Sequence, residues 1–120
     1  MAKFAENTDQ LCNRVISDAQ KGEFKPLYLL MGEESYYPDK VCQAIIQHCI
    51  SPEDKDFNES ILYGTEVSAE QVISCARRYP MMSDRQLVVL KEAQLMKGIE
   101  GLSVYCESPL DSTVLVVLLH

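Results

Sequence analysis

Four short runs of apolar residues alternate with amphipathic segments along the chain. The runs cover residues 27–31, 57–63, 86–91 and 113–119, and the last two consist mostly of valine and leucine. Runs of this length, rich in branched side chains, are typical of β-strands. Because most of their residues are apolar, we expect strands that are buried on both faces of a sheet.

The segments between these runs have helical spacing. Apolar residues recur every three to four positions over residues 5–20, 35–50 and 68–79, and residues 98–112 suggest a short helix among glycine and proline turns. The clearest helix start is a capping box formed by Ser68 and Gln71, with Val67 and Val72 placed as a hydrophobic staple. This helix should end near Tyr79, since the residue before a proline avoids the α conformation.

The alternation of strands and helices predicts the fold class. We expect one α/β domain with a mostly parallel sheet, right-handed crossovers and helices on both faces, a three-layer α/β/α arrangement. The 120 residues suit one domain or part of one. A parallel strand at the end of the sequence, with no covering helix after it, leads us to expect further C-terminal sequence.

Charge and hydropathy argue against nucleic acid and membranes as the main binding partners. Eighteen acidic residues against eleven basic ones give a net charge of −7, so phosphate backbones should repel the domain as a whole. The longest apolar run, residues 114–119, is far shorter than the ~20 residues that span a bilayer. The first residues also lack the pattern of a secretory signal. We expect a cytoplasmic protein that binds other proteins and no membrane.

The five cysteines do not form a metal or disulfide pattern. They are odd in number, no two are closer than seven residues, and none belongs to a C-x-x-C element. We therefore expect no metal site and no disulfide framework, and we expect Cys42, Cys49 and Cys75, which lie beside aliphatic residues on helical patterns, to behave as small buried apolar side chains. The cysteines are Cys12, Cys42, Cys49, Cys75 and Cys106.

The segment over residues 30–40 has the strand, glycine loop and helix order of a phosphate-binding loop. Such a loop needs a second glycine, then a lysine and a hydroxyl at fixed spacing, and none is in place here. Glu33, Glu34 and Asp39 would repel a triphosphate, and Lys40 lies two positions too far along. The strand at residues 86–91 places Lys91 before Glu92, where a metal-binding aspartate would be expected. We predict no catalytic residue and no cofactor, with ATP binding at a degenerate loop as an alternative.

A group of basic residues leaves a second alternative open. Such a group could contact DNA locally, but charges near a helix C-terminus also stabilise the helix dipole. The residues are Arg77, Arg78, Arg85, Lys91 and Lys97.

Several segments resemble the delta subunit of bacterial DNA polymerase III, the clamp-loader family. They are LYLLMGEESY at 27–36, FN at 57–58, LYG at 62–64, VSAE at 67–70 and RRYPMMSDRQLVVLKEA at 77–93. Their order and spacing extend over nearly the whole chain from about residue 25.

The resemblance implies an N-terminal domain of the AAA+-like, P-loop-NTPase-like fold whose phosphate loop has lost its function. It also implies a lid and a helical collar beyond residue 120, and a ring formed through the collar with delta-prime and tau or gamma subunits. By the same resemblance, the domain has no enzymatic activity alone, binds the sliding clamp, and meets primer–template DNA only indirectly.

In this family a pair of adjacent apolar residues before a strand inserts into a pocket of the clamp. Here the pair falls on Met81 and Met82, flanked by Tyr79 and Pro80, although the family usually carries a larger aromatic or leucine side chain there. Methionine side chains are flexible and polarizable, and they can adapt to a preformed apolar groove. The alternative is that one of the two methionines completes the core of the domain itself.

Overall fold

The computed structural model describes residues 8–31 and 36–119 of the chain. Four strands form one sheet in the order β1-β4-β3-β2, and every pair is parallel. The predicted α/β class with a mostly parallel sheet is therefore confirmed. The strands are β1 (Leu27–Met31), β2 (Glu59–Tyr63), β3 (Gln86–Lys91) and β4 (Thr113–Leu119).

Helices cover both faces of the sheet. The connection from β1 to β2 runs from one edge strand of the sheet to the other, and the connections from β2 to β3 and from β3 to β4 run back in the opposite direction. Because such crossovers are right-handed, the first connection lies on one face of the sheet and the other two lie on the opposite face. On one face lie α1 (Thr8–Gln20) and α2 (Tyr36–Cys49). On the other lie α4 (Ala69–Ala76), α5 (Ser103–Cys106) and the 3-10 turns Ala93–Leu95 and Ile99–Leu102. No helix in the described ranges is long and apolar enough to cross a membrane.

The two central strands form the core. Residues 87–90 of β3 and 114–117 of β4 are all buried, and their side chains alternate between the two faces. The expectation of burial on both faces was wrong for the other two strands, since β1 and β2 lie at the edges of the sheet. Leu29 and Met31 on β1 are 58% and 65% exposed, and Ile61 and Tyr63 on β2 are also exposed.

Most predicted boundaries agree with the structure to within a few residues. The capping box is confirmed, because Ser68 Oγ accepts from the Gln71 N–H at 3.2 Å and Gln71 Oε1 accepts from the Ser68 N–H at 2.8 Å. The helix ends at Ala76, earlier than predicted. The glycine loop at residues 32–35 and His120 lie outside the described residues.

The start of the second strand was predicted wrongly. Residues 57 and 58 belong to the short helix α3 (Lys55–Asn58), which continues a 3-10 turn at Pro52–Asp54. Lys55 holds this helical segment in place, since its Nζ donates to the Ile46 carbonyl at 2.9 Å and lies 3.3 Å from the Glu59 carboxylate. Such a tertiary contact overrides the local strand preference of an apolar run.

None of the five cysteines forms a disulfide bond within the described residues. Burial raises the pKa of the Cys49 thiol to about 11 and also raises the pKa of Cys42. Partial burial also raises the pKa of the Cys106 thiol, but this residue lies exposed at the end of α5.

We predict that iodoacetamide at pH 8 modifies Cys106 at least about 100-fold faster than Cys49, because only the accessible thiolate reacts. The sites are read by peptide mass spectrometry. In urea the two rates should converge, and equal rates in the native protein would contradict the burial of Cys49.

Candidate protein-interaction loop

Residues 77–85, which we call the methionine loop, connect α4 to β3. Because they come directly before β3, they lie at the N-terminal ends of the parallel strands. Nucleotides in folds of this kind bind at the C-terminal ends of the strands. The methionine loop is therefore separate from the place of a phosphate-binding loop.

The methionine loop exposes the predicted residues. Met82 is 96% exposed, Tyr79 is 83% exposed, Met81 is 59% exposed, and Pro80 is half-buried. The alternative that one methionine completes the domain's own core is wrong, since neither is buried. Adjacent apolar side chains held in water form the kind of patch that marks a protein-interaction site.

The backbone at Met82 adopts an uncommon conformation. Its φ of 56° lies in the left-handed region, which residues other than glycine, asparagine and aspartate seldom enter. Backbone strain of this kind concentrates at functional sites, where surrounding contacts hold it in place.

One such contact comes from Asn58 at the end of α3, which is 2% exposed. Its Oδ1 accepts from the Met81 N–H at 2.7 Å, and its Nδ2 donates to the Met81 carbonyl at 2.8 Å. Nδ2 also donates to the Asp54 carbonyl at 3.3 Å. The amide orientation follows from these partners, because the reverse orientation would place an amide nitrogen against the Met81 N–H.

Gln86 and Thr113 fix the start of the methionine loop. Both side chains are buried, and the carbonyl oxygens of Cys75, Ala76 and Arg78 lie 2.7–3.3 Å from Gln86 Nε2 and share its two N–H groups. The Thr113 hydroxyl donates to the Ala76 carbonyl at 2.6 Å and accepts from Gln86 at 3.0 Å. These bonds satisfy the unpaired carbonyls at the end of α4.

Sequence reasoning did not single out Asn58, Gln86 or Thr113. The available signal was their position, since Gln86 and Thr113 are the first residues of β3 and β4 and Asn58 stands directly before β2. Buried polar groups require partners, and such positions mark where those partners lie.

The basic residues do not form a single group, since Arg77, Arg78 and Arg85 belong to the methionine loop whereas Lys91 lies at the far end of β3. Arg85 and Lys91 lie at opposite ends of β3, about 20 Å apart at the usual rise of a strand. The Arg77 guanidinium lies 5.2 Å from the ring centroid of Tyr105, and that of Arg85 lies 4.7 Å from that of Phe24. Arg78 contacts Ser60 and Cys75. These contacts are with the domain's own side chains and do not form one phosphate-binding face.

A cleft of about 380 Å³ lies at the C-terminal ends of the strands. Asp39, Cys42, Lys91 and Glu92 are among its lining residues, so charges of both signs face it. Among the described residues, no three histidine, cysteine or acidic side chains are grouped as a metal site.

Comparison with known proteins identifies the family. The family model described as "DNA polymerase III, delta subunit" matches residues 28–120. The DNA polymerase III subunit delta of Bacillus subtilis (strain 168) is 33% identical over 109 residues, which covers 82% of this chain and 31% of that protein.

Two solved structures are similar in fold. The Bacillus subtilis DNA clamp loader delta protein has a TM-score of 0.80 and 31% identity, covering 90% of this chain and 35% of that one. A DNA polymerase III gamma subunit-related protein from Thermotoga maritima has a TM-score of 0.59 and 16% identity, covering 91% and 39% of the two chains, and shows likeness of fold alone. The predicted AAA+-like fold is thereby confirmed.

The chain spans about a third of the length of the relatives it matches. The family match nevertheless covers most of the chain, including the methionine loop and all of β3 and β4. On this match, the chain belongs to the DNA polymerase III delta subunit family.

Proposed function

We propose that this domain is a non-catalytic protein-interaction module that binds the sliding clamp of DNA replication through the methionine loop. The observation that carries the proposal is the exposure of Met81 and Met82, side by side, in a member of the delta subunit family. Tyr79 and Pro80 flank the pair and complete the proposed contact.

The chemistry of this pair suits an apolar pocket. Transfer of an exposed methionine side chain into such a pocket contributes about 1.5–3 kcal/mol, and small interfaces depend on a few side chains of this kind. The polar Ser83 and Asp84 follow directly in the sequence and would lie at the rim.

Binding of this kind can also open a ring. A ligand shifts a conformational equilibrium only by its differential affinity for the two states, so the domain must bind the open clamp more tightly than the closed one. In this proposal the energy of ATP is used on other subunits, since the sequence lacks a complete phosphate-binding loop.

The wider assembly belongs to the same proposal. Lid and collar domains would follow the residues of this chain, and the collar would join the domain to delta-prime and tau or gamma subunits. Primer–template DNA would be contacted through that assembly, in the bacterial cytoplasm at the replisome.

The test is surface plasmon resonance with the full-length protein over immobilised clamp from the same organism. We expect saturable binding without nucleotide, and titration with labelled Mg²⁺-ATP should detect no binding to this protein. Absence of clamp binding would refute the proposal. Tight ATP binding, or clamp-independent DNA binding with a steep salt dependence, would favour the ATPase or DNA-contacting alternative.

A further inference from the structure

We propose that Asn58 is a positioning residue that holds the methionine loop in its binding conformation. This inference rests on the proposed function. It assigns a role in partner binding to a residue that itself lies buried behind the loop and is not available to touch the partner.

The geometry that carries the inference is the paired hydrogen bond to Met81. Asn58 uses both its acceptor and its donor on the N–H and the carbonyl of one residue, at 2.7 and 2.8 Å. This fixes the orientation of both peptide groups that adjoin Met81, as a neighbouring strand would. The two residues are 23 positions apart, so the bonds tie α3 to the methionine loop across the fold.

The position of these bonds explains the conformation of the next residue. Met82 has a positive φ, which costs free energy for a methionine and persists only if its neighbours hold the backbone. Asn58 holds the residue before Met82, while Gln86 holds the carbonyls at the end of α4. Between these anchors the loop presents both methionines to solvent.

A fixed loop binds more tightly than a mobile one. Ordering a free backbone requires about 1–2 kcal/mol per residue, and a partner must supply that free energy unless the loop is already ordered. We therefore expect Asn58→Ala to weaken clamp binding about 10-fold or more, because the peptide groups that adjoin Met81 lose both hydrogen bonds and become mobile.

The experiment measures clamp affinity by surface plasmon resonance for the full-length protein and four variants. These are Asn58→Ala, Asn58→Asp, Met82→Ala and the combination of Asn58→Ala with Met82→Ala. Val116→Ala, in the middle of β4 and buried, is the control for a general loss of stability. Circular dichroism establishes which variants are folded at the temperature of the assay.

Asn58→Asp provides a readout that a general loss of stability would not give. Its carboxylate still accepts from the Met81 N–H, but its second oxygen faces the carbonyls of Met81 and Asp54. Burial beside those oxygens raises the pKa of the new carboxyl, and protonation restores a donor. We expect its affinity relative to the unchanged protein to recover as the pH falls from 8 to 6. The charged side chains near along the chain or packed beside this segment include Asp54, Lys55, Glu59 and Arg78, and all four are the same in both proteins, so the two differ only by the carboxyl at position 58.

The outcomes separate the two proposals. Support requires that Asn58→Ala weakens binding, that Val116→Ala does not, and that the Asn58→Ala effect shrinks in the Met82→Ala background, as expected of coupled residues. If Met82→Ala loses affinity while folded Asn58 variants bind normally, the positioning role is refuted and the clamp proposal stands. If neither position matters, the methionine loop is not the binding site. Equal effects in both backgrounds, with no recovery of Asn58→Asp at low pH, would show a merely structural role and overturn the inference.

Discussion

Replacement of both Met81 and Met82 by alanine is expected to lower the affinity for the sliding clamp by at least about 100-fold. Met82 is almost fully exposed in the free domain, so nearly all of its apolar surface is available for transfer into a partner. Met81 is already partly covered, and its single substitution should therefore have the smaller effect. The measurement is the equilibrium dissociation constant from surface plasmon resonance with the full-length protein.

A matched control removes similar apolar surface elsewhere. Leu95 and Val104 are 54% and 61% exposed and lie outside the methionine loop. The double substitution Leu95→Ala/Val104→Ala should leave the affinity within about 2-fold, since exposed side chains outside an interface contribute little to it. If both double variants bind as the unchanged protein does, the methionines are not the anchors of the interface.

The largest expected loss of stability comes from Gly64→Ala. Gly64 follows β2 and donates its N–H to the Lys91 carbonyl at 2.8 Å, which brings the two backbones together. An added Cβ would collide with the Glu92 carbonyl oxygen and lie 3.0 Å from its carbon and 3.3 Å from the Ala93 Cα. Backbone atoms cannot turn aside as a side chain can, so we expect a loss of about 3 kcal/mol in the free energy of unfolding.

The measurement for Gly64→Ala is urea-dependent hydrogen exchange of β2 and β3 peptides in the full-length protein, read by mass spectrometry. Gly101→Ala is the matched control, because its Cβ would meet only the Ala69 side chain at 3.2 Å. Its effect should stay below about 1 kcal/mol. A Gly64→Ala protein whose strands exchange no faster than those of Gly101→Ala would contradict the close approach of the two backbones.

The sheet and the main helix start were predictable because their signals are local. The runs at β3 and β4 are apolar throughout, and the capping box of Ser68 and Gln71 lies within one turn of helix. The exposure of Leu29 and Met31 was not predictable in this way. It follows from the place of β1 at the edge of the sheet, which depends on the order of all four strands.

Family resemblance identified the candidate site from the sequence, but it did not identify the buried residue that holds the methionine loop in place. Met81 and Met82 could be placed on a loop because Pro80 precedes them and a strand follows. Asn58, in contrast, stands in a segment whose sequence predicts a strand but which is helical in the structure. Its partner lies 23 residues away, and no local pattern connects the two. Tertiary hydrogen bonds of this kind become visible only when the chain is folded.

The positive φ of Met82 restricts which amino acids can serve at that position. Valine and isoleucine are excluded for steric reasons, because a branched Cβ fits poorly in the left-handed region. Leucine, phenylalanine and methionine, which branch further out or not at all, remain compatible. An attempt to strengthen the interaction by directed evolution should therefore enrich unbranched-Cβ side chains at position 82 and leave β-branched ones behind, even though all of them are similarly hydrophobic.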